Sequence, residues 1–290
     1  GKRIISELKY TKKLSQINNN KFDNLIKEAL KFVNKKHRKE KLISEETTYK
    51  AEEKLKSLQE IARQYEVLFA GHAHIDMNWQ WRFDETVAIT IDTFRTVLDL
   101  MEEYPEFTFS QSQASVYKII EKYAPSMIAD IKKRVHEGRW EVTASSWVET
   151  DKNVPNGESL SRHILYTKNY LSDLLDIDPA SLKIDFEPDT FGHNLNVPEI
   201  LSQGNIIYYY FCRGHENHTL FRWQSPSGNS VIAYREPFWY NAEINTDIAA
   251  AVPETCEKHN MKTMLKVYGI GDHGGGPTRR DIEKIKDMSN

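Results

Sequence analysis

Two histidines and an aspartate follow a short apolar run at alternate positions. In "EVLFAGHAHIDMNWQW" (66–81), His72, His74 and Asp76 point to the same side if the chain leaves a strand in an extended form. Imidazole nitrogen and carboxylate oxygen are common ligands of Zn²⁺ and similar divalent ions. The pattern predicts a metal site, although this segment alone does not say which histidine is a ligand. The alternative is a histidine that only hydrogen-bonds backbone at a strand end.

A second polar segment, "DFEPDTFGH" (185–193), places Asp185, Glu187 and Asp189 at alternate positions. Carboxylates this close repel one another unless an ion, a hydrogen bond or a proton intervenes. Pro188 opposes regular helix, and Gly192 permits a sharp turn. We predict that one of these carboxylates reaches the metal and the substrate. A solvated acidic turn is the alternative.

A third segment, "GIGDHGGGPT" (269–278), places Asp272 and His273 in front of three glycines. Such a run is costly in chain entropy and indicates a backbone that passes close to another group. The Lys-Ser/Thr ending of a phosphate-binding P-loop is missing. The segment therefore favours a carboxylate presented beside a ligand cleft over phosphate binding. The alternative is a flexible loop with two incidental polar residues.

Aromatic residues accompany these polar segments. Flat aromatic faces can stack on the apolar faces of sugar rings, while carboxylates and arginine bind the hydroxyl edges; core packing is the alternative role. The residues concerned are Trp79, Trp81, Trp147, Phe191, Trp239 and Tyr240.

The elements that must position these residues alternate between strand and helix from residue 66 onward. Strands are predicted at 67–71, 107–111, 140–144, 182–186, 206–211 and 265–271, with a β-hairpin over 220–235. The first crossover helix is predicted to bury Val87, Ile91, Phe94, Leu98 and Met101. This order is typical of an α/β fold with a parallel sheet or barrel, in which functional side chains gather at the carboxyl ends of the strands. Residues 1–65 carry apolar residues at helical spacing and are predicted to form a separate N-terminal helical segment, with Ser44 at the start of its second helix.

The composition excludes some classes of partner. The 290 residues are 39% hydrophobic and 28% charged, with a net charge of −3, so no broad basic field is expected and nucleic acid is an unlikely partner. No apolar run approaches the roughly 18 residues of a membrane helix. The two cysteines lack metal-type pairing, which favours a reducing, cytoplasmic setting, with Cys212 a packed residue. The oligomeric state stays open.

Four motifs, in their order and spacing, resemble glycoside hydrolase family 38, the retaining zinc-dependent α-mannosidases. They are "GHAHIDMNW", "GRWEVTASSWVETD", "PDTFGH" and "GDHGGGPT", and bacterial members with a Gly-Asp-x-Gly-Gly-Gly-Pro loop are the most similar. The resemblance runs from about Val67 to the end of the chain. It implies a (β/α)₇-type barrel over 66–290 with its metal site at the carboxyl ends of the strands. The implied substrate is a mannose-containing oligosaccharide or glycoside.

The resemblance also implies a ligand set for one zinc ion, with Co²⁺ as an alternative. His74 and Asp76 match the family's His-x-Asp zinc pair, with His72 a supporting neighbour, and Asp189 matches the aspartate that both binds zinc and attacks the anomeric carbon. The family's fourth ligand, a histidine, would fall past residue 290. We therefore expect this chain to be the front portion of a larger enzyme, with the barrel incomplete at its C-terminal end.

Further roles follow from the same resemblance. Trp79 matches the tryptophan that stacks beneath the mannose ring, and Arg213 matches an arginine on the strand after the nucleophile. Asp272 lies where the family places its acid/base carboxylate, with His273 as the rival. The alternatives to a mannosidase are a metal-dependent sugar N-deacetylase or amidohydrolase on a similar barrel, or an inactive carbohydrate-binding fragment. The linkage preference is not predicted.

Overall fold

A computed structural model describes residues 1–215, 217–271 and 274–289. The chain divides into two compact units. One unit comprises Gly1–Leu68, Ile244–Leu265 and Lys284–Asn290, and the other comprises Phe69–Glu243 and Lys266–Glu283. None of the helices in the described part of the chain is both long and apolar enough to cross a membrane.

The first unit is helical. Its helices are α1 (Lys2–Ile17), α2 (Asp23–Glu40), α3 (Glu45–Leu55), α4 (Gln59–Ala62) and α10 (Thr246–Lys258). Ser44 accepts a hydrogen bond from the backbone N–H of Thr47, which confirms the predicted start of α3. The core of the unit is made of Ile4, Leu8, Leu14, Ile26, Ala29, Val33, Ala51, Leu55 and Leu58.

Helix α10, although distant in sequence, packs against α1 in this unit. Lys9 pairs with Asp247 at 2.6 Å and Lys13 with Glu254 at 2.7 Å. Both pairs are exposed, so each contributes little to stability. The predicted boundary between a helical segment and a barrel at residue 66 stays a prediction.

One four-stranded sheet has the order β3-β2-β1-β8. Its strands are β1 (Glu66–His72), β2 (Phe109–Gln111), β3 (Trp140–Val142) and β8 (Thr263–Tyr268). β1 pairs with β2, and β2 with β3, both in parallel. The carboxyl ends of these three strands therefore meet at one edge, as the alternation of strands and helices predicts.

The other four-stranded sheet has the order β4-β5-β7-β6. Its strands are β4 (Ile184–Glu187), β5 (Tyr208–Phe211), β6 (Leu220–Gln224) and β7 (Ser230–Arg235). The first three in that order are parallel, while β6 is antiparallel to β7 and forms the predicted hairpin with it. β6 is therefore the edge strand of this sheet, and a tight turn connects it to β7.

Helices connect or follow the strands of these sheets. They are α5 (Phe83–Glu103), α6 (Ala114–Tyr123), α7 (Ile128–His136), α8 (Gly157–Leu175), α9 (Val197–Gln203) and α11 (Arg279–Ser289). Helix α5 buries a different face from the predicted one. Phe94 and Met101 are buried, but Thr86, Thr90 and Thr93 are buried in place of Val87, Ile91 and Leu98, which are half-buried.

The predicted α/β class is confirmed, and the barrel is not closed. Among the described residues, no strand pairing joins β3 to β4, the neighbouring edges of the two sheets. Hydrogen bonds between side chains cross that gap instead, from Ser145 to Asp185 at 2.6 Å and from Ser146 to Glu187 at 3.1 Å. The open gap is therefore polar, and it lies beside the predicted site residues.

Candidate active site at the strand ends

Two glutamines hold the chain in an extended form where it leaves β1. The side-chain amide of Gln111 donates to the carbonyl of Ala73 at 3.1 Å, and that of Gln113 donates to the carbonyl of Ile75 at 2.9 Å. These carbonyls alternate with the candidate ligands, so fixing them turns His74 and Asp76 toward the same side. Gln113 has a φ of 64°, a strained conformation of the kind that clusters at functional sites.

His74 is buried between two carboxylates. Its Nε2 lies 2.9 Å from Oδ1 of Asp76, and its Nδ1 lies 3.2 Å from Oε2 of Glu149. Burial alone would lower the pKa of His74, but Glu149 and Asp76 outweigh it and raise that pKa to about 10. The two carboxylates thus favour the protonated ring, and a metal would have to compete with the ring proton for Nε2.

His72 occupies a different environment. Its Nδ1 lies 3.0 Å from the carbonyl oxygen of Ser110, and its ring packs on Phe186 with centroids 4.5 Å apart. Burial lowers the pKa of His72 to about 3, so the ring is neutral. The role of His72 as a supporting neighbour of the ligands stays a prediction.

Glu149 is a residue that the sequence interpretation did not select, although it lies within the motif "SSWVETD". Its Oε1 accepts hydrogen bonds from the backbone N–H of Asp189 at 2.6 Å and from the hydroxyl of Thr190 at 3.2 Å. Its other oxygen faces His74. The structure thus joins the ends of β1, β3 and β4 at one carboxylate.

Asp189 lies beyond the end of β4, where Arg213 binds it. The Nη2 and Nε atoms of Arg213 lie 2.5 Å and 2.8 Å from Oδ1 of Asp189. Burial raises the pKa of Asp189 overall, and the charges of His74 and Arg213 offset that rise only in part. The predicted nucleophile and the predicted arginine are therefore in direct contact, and the arginine favours the anionic form that a nucleophile needs.

Aromatic rings surround this pair. The guanidinium of Arg213 lies 4.3 Å from the ring centroid of Phe191 and 5.0 Å from that of Trp239. Phe191 is 73% exposed and Trp79 is 56% exposed, so both offer ring faces to a ligand.

Thr86, at the start of α5, holds the loop that carries Trp79. Its hydroxyl donates to the carbonyl of Asp76 at 3.3 Å and accepts from the indole N–H of Trp81 at 3.0 Å. Trp81 in turn meets the ring of Trp79 edge-on, with centroids 5.7 Å apart. The exposed Trp79 is therefore presented from an anchored loop.

A family model supplies the decisive comparison. The model of the glycosyl hydrolases family 38 N-terminal domain matches residues 64–290. The chain belongs to glycoside hydrolase family 38.

Named relatives agree with this assignment. Alpha-mannosidase G of Dictyostelium discoideum is 31% identical over 230 residues, which is 77% of this chain and 21% of that protein. Human alpha-mannosidase 2C1 is 28% identical over 238 residues, covering 78% and 22% of the two chains. An alpha-mannosidase from Enterococcus faecalis V583 superposes with a TM-score of 0.67 at 22% identity, covering 78% of this chain and 27% of that one, and so shares the fold. The chain spans about a fifth of the length of these curated relatives.

The donor atoms of this family 38 chain fit part of a zinc site. Two ligands of one tetrahedral zinc ion lie about 3.3–3.6 Å apart, given metal–ligand distances of about 2.0–2.2 Å. Nε2 of His74 and Oδ1 of Asp76 face each other at 2.9 Å, so a small displacement would accommodate an ion. No group of three or more histidine, cysteine, aspartate or glutamate side chains in the described part of the chain is arranged to hold a metal. Asp189 as a third ligand stays a prediction, and Asp272 and His273 lie outside the described residues.

The other two carboxylates of the "DFEPD" segment have a separate partner. Lys152 lies 2.6 Å from Oε1 of Glu187 and 3.3 Å from Oδ2 of Asp185, and all three side chains are buried. Burial would lower the pKa of Lys152, but the two carboxylates raise it overall. Burial raises the pKa of Glu187 well above its ordinary value, whereas the pKa of Asp185 is lowered because Lys152 and hydrogen bonds outweigh burial. An internal lysine, together with hydroxyl groups, thus relieves the carboxylate repulsion expected from the sequence.

Proposed function

We propose that the protein that carries this chain hydrolyses terminal α-mannosides, in a zinc-dependent reaction that retains the anomeric configuration. Membership of family 38 and the names of the relatives support glycoside hydrolysis and a mannose-containing oligosaccharide or glycoside as substrate. The observation that carries the proposal is the position of Asp189. It is bound by Arg213 and linked through Glu149 to the His74–Asp76 pair.

In this mechanism the zinc ion, held by His74, Asp76 and Asp189, would bind sugar hydroxyls and act as a Lewis acid. Asp189 attacks the anomeric carbon as the bond to the leaving oxygen breaks, which forms a covalent glycosyl-aspartate. Arg213 orients the attacking carboxylate and favours its anionic form. Trp79 supports the sugar ring from below.

The acid/base role is proposed for Asp272, with His273 as the alternative. Asp272 would donate its proton to the leaving oxygen and then remove a proton from the water that attacks the glycosyl-aspartate. In retaining enzymes the two carboxyl groups lie about 5–5.5 Å apart. Asp272→Asn should reduce hydrolysis of an alkyl α-mannoside far more than that of an aryl α-mannoside with an acidic leaving group, which needs little protonation. Equal loss on both substrates would remove Asp272 from this role.

A mechanism-based label tests the proposed function as a whole. A 2-fluoro- or 5-fluoro-mannosyl fluoride should inactivate the protein and leave one fluoromannosyl group on Asp189, found by peptide mass spectrometry. Asp189→Asn is the matched control and should stay unlabelled. A metal-dependent sugar N-deacetylase or amidohydrolase, which uses metal-bound water as nucleophile, would acquire no label. An inactive carbohydrate-binding protein would also stay unlabelled.

The cytoplasmic setting, the absence of nucleic-acid and membrane partners, and Co²⁺ as an alternative ion remain predictions.

A further inference from the structure

The carboxylate of Glu149 contacts both halves of the candidate site with different oxygens. Oε2 lies 3.2 Å from Nδ1 of His74, whereas Oε1 accepts from the backbone N–H of Asp189 at 2.6 Å. The side chain is only 7% exposed. A carboxylate this buried is costly unless hydrogen bonds or opposite charge compensate it. Here the backbone N–H of Asp189 donates to Oε1, and the ring of His74 faces Oε2 as a charged neighbour without an aligned hydrogen bond.

Glu149 is itself held in place through its backbone. Its N–H donates to Oε1 of Gln113 at 3.1 Å, and the amide nitrogen of Gln113 donates to the carbonyl of Ile75 at 2.9 Å. Ile75 lies between His74 and Asp76, so a single glutamine fixes both the ligand-bearing chain and the residue that contacts His74. This arrangement gives Glu149 little freedom to move relative to the ring.

We propose that Glu149 is the positioning residue of this site, orienting His74 toward a divalent cation and Asp189 toward the sugar. The cation part rests on the proposed function. A carboxylate at Nδ1 favours the tautomer with hydrogen on that nitrogen, which leaves the Nε2 lone pair directed at Asp76, where an ion would lie. Oε1 fixes the backbone from which the Asp189 side chain extends.

The contact with Asp189 gives Glu149 a second role, which is separate from its contact with His74. The hydroxyl of Thr190 lies 3.2 Å from the same oxygen but only 2.6 Å from Oε2 of Glu187, so the N–H of Asp189 is the main donor to Oε1. Because Asp189 is less than 3 Å from Glu149 through its backbone and from Arg213 through its side chain, its position is fixed from two directions. Loss of Glu149 should therefore lower turnover more than it raises KM.

Glu149→Gln is the direct test, since glutamine keeps an oxygen for the N–H of Asp189 but replaces the carboxylate that faces His74. Zinc affinity is measured by competition with a chromogenic chelator, and kcat and KM are measured on an aryl α-mannoside. We expect zinc affinity to fall about 10- to 100-fold, the usual effect of losing a group that orients a ligand. We expect kcat to fall while the thermal midpoint changes little.

Two further variants keep the test decisive. Glu141→Gln removes a carboxylate from β3 that lies outside the candidate site, and should leave zinc affinity and kcat unchanged. Glu149→Asp keeps the charge but is one methylene shorter, so it cannot reach both partners, and its zinc affinity should also fall. If Glu149→Gln fails to fold, the Glu149→Asp variant decides the question. A zinc affinity of Glu149→Asp equal to that of the wild type would then overturn the proposal.

The outcomes separate this inference from the proposed function. If the wild type hydrolyses the mannoside and Glu149→Gln matches it in zinc affinity and kcat, the positioning role is wrong while the function stands. If the wild type binds zinc but does not hydrolyse mannosides, the function is wrong, and the zinc affinities alone decide the role of Glu149. If the wild type binds no zinc, the proposed orientation of His74 is wrong.

Discussion

Arg213 binds the carboxylate of Asp189 through two of its nitrogens. Nη2 and Nε lie 2.5 Å and 2.8 Å from Oδ1, and Nε also lies 3.2 Å from the backbone oxygen of the same residue. The backbone of Arg213 is held in turn, because its carbonyl lies 2.9 Å from Nε2 of His193. The arginine therefore orients Asp189 as well as balancing its charge.

Arg213→Lys should lower kcat/KM on an aryl α-mannoside by about 100-fold, the order of loss expected when a reacting group is misplaced by about 1 Å. Lysine keeps the positive charge but cannot reproduce the planar two-nitrogen contact with the carboxylate. Arg222→Lys, on the exposed strand β6, is the matched control and should keep wild-type kinetics. Activity near that of the wild type in Arg213→Lys would show that charge alone suffices.

Thr86→Val should destabilise the protein by about 0.5–1.5 kcal/mol, because the half-buried partners of its hydroxyl lose their hydrogen bonds. The hydroxyl of Thr86 joins the carbonyl of Asp76 to the indole of Trp81, so KM for the mannoside should also rise. Thr86→Ser keeps the hydroxyl and should retain the KM. Urea denaturation and steady-state kinetics measure both effects. A raised KM in the serine variant would assign the effect to the methyl group instead.

The strands and the hairpin could be predicted because their signals are local. Aromatic and β-branched runs bounded by turn residues mark each strand, and "SPSGNS" marks the turn between β6 and β7. The last strand was predicted over 265–271 but ends at Tyr268. Gly269 has a φ of 151°, and a Cβ there would collide with the carbonyl of His72. That close approach ends the strand, and it depends on a neighbour that is distant in sequence.

Only part of the candidate site could be predicted, again because some of its contacts depend on residues that are distant in sequence. The alternation of His74 and Asp76 is local, and the structure does place their side chains together. Glu149 and Lys152 acquire their roles from residues 33 or more positions away in sequence, and their contacts with residues of and after β4 cross the gap between the two sheets. Pattern alone does not say which carboxylate faces which cation, because that depends on how the sheets meet.

Lys152→Met should destabilise the protein by about 3–5 kcal/mol, the usual cost of breaking a buried ion pair from one side. In this variant the buried side chains of Asp185 and Glu187 would lose their cationic neighbour. The ammonium group of Lys152 lies 3.3 Å from Asp185 and 2.6 Å from Glu187. Lys133→Met, on the exposed side of α7, should change the free energy of unfolding by no more than about 0.5 kcal/mol. Urea denaturation of both variants measures the difference. Equal stability of the two would mean that the carboxylates do not depend on Lys152.

His163, on α8, should make the protein less stable as the pH falls below neutrality. Its Nδ1 accepts a hydrogen bond from the backbone N–H of Trp147 at 3.2 Å, which requires the neutral ring. Burial lowers the pKa of His163, as does the charge of Lys152, while Asp185 opposes them. In the unfolded chain the same group has a pKa of about 6.5. The unfolded state therefore binds the proton first, and this contribution to stability is complete above about pH 6.5 and lost as the pH falls toward the lower folded-state pKa.

His163→Asn tests this pH dependence because the amide oxygen of asparagine can replace Nδ1 as the acceptor without titrating. The free energy of unfolding is measured by urea denaturation at intervals between pH 7.5 and pH 5, a range set around the ordinary histidine pKa of about 6.5. The wild type should lose more stability than the variant across this interval, since contributions from other groups are common to both proteins. Parallel curves would show that protonation of His163 does not weaken the fold.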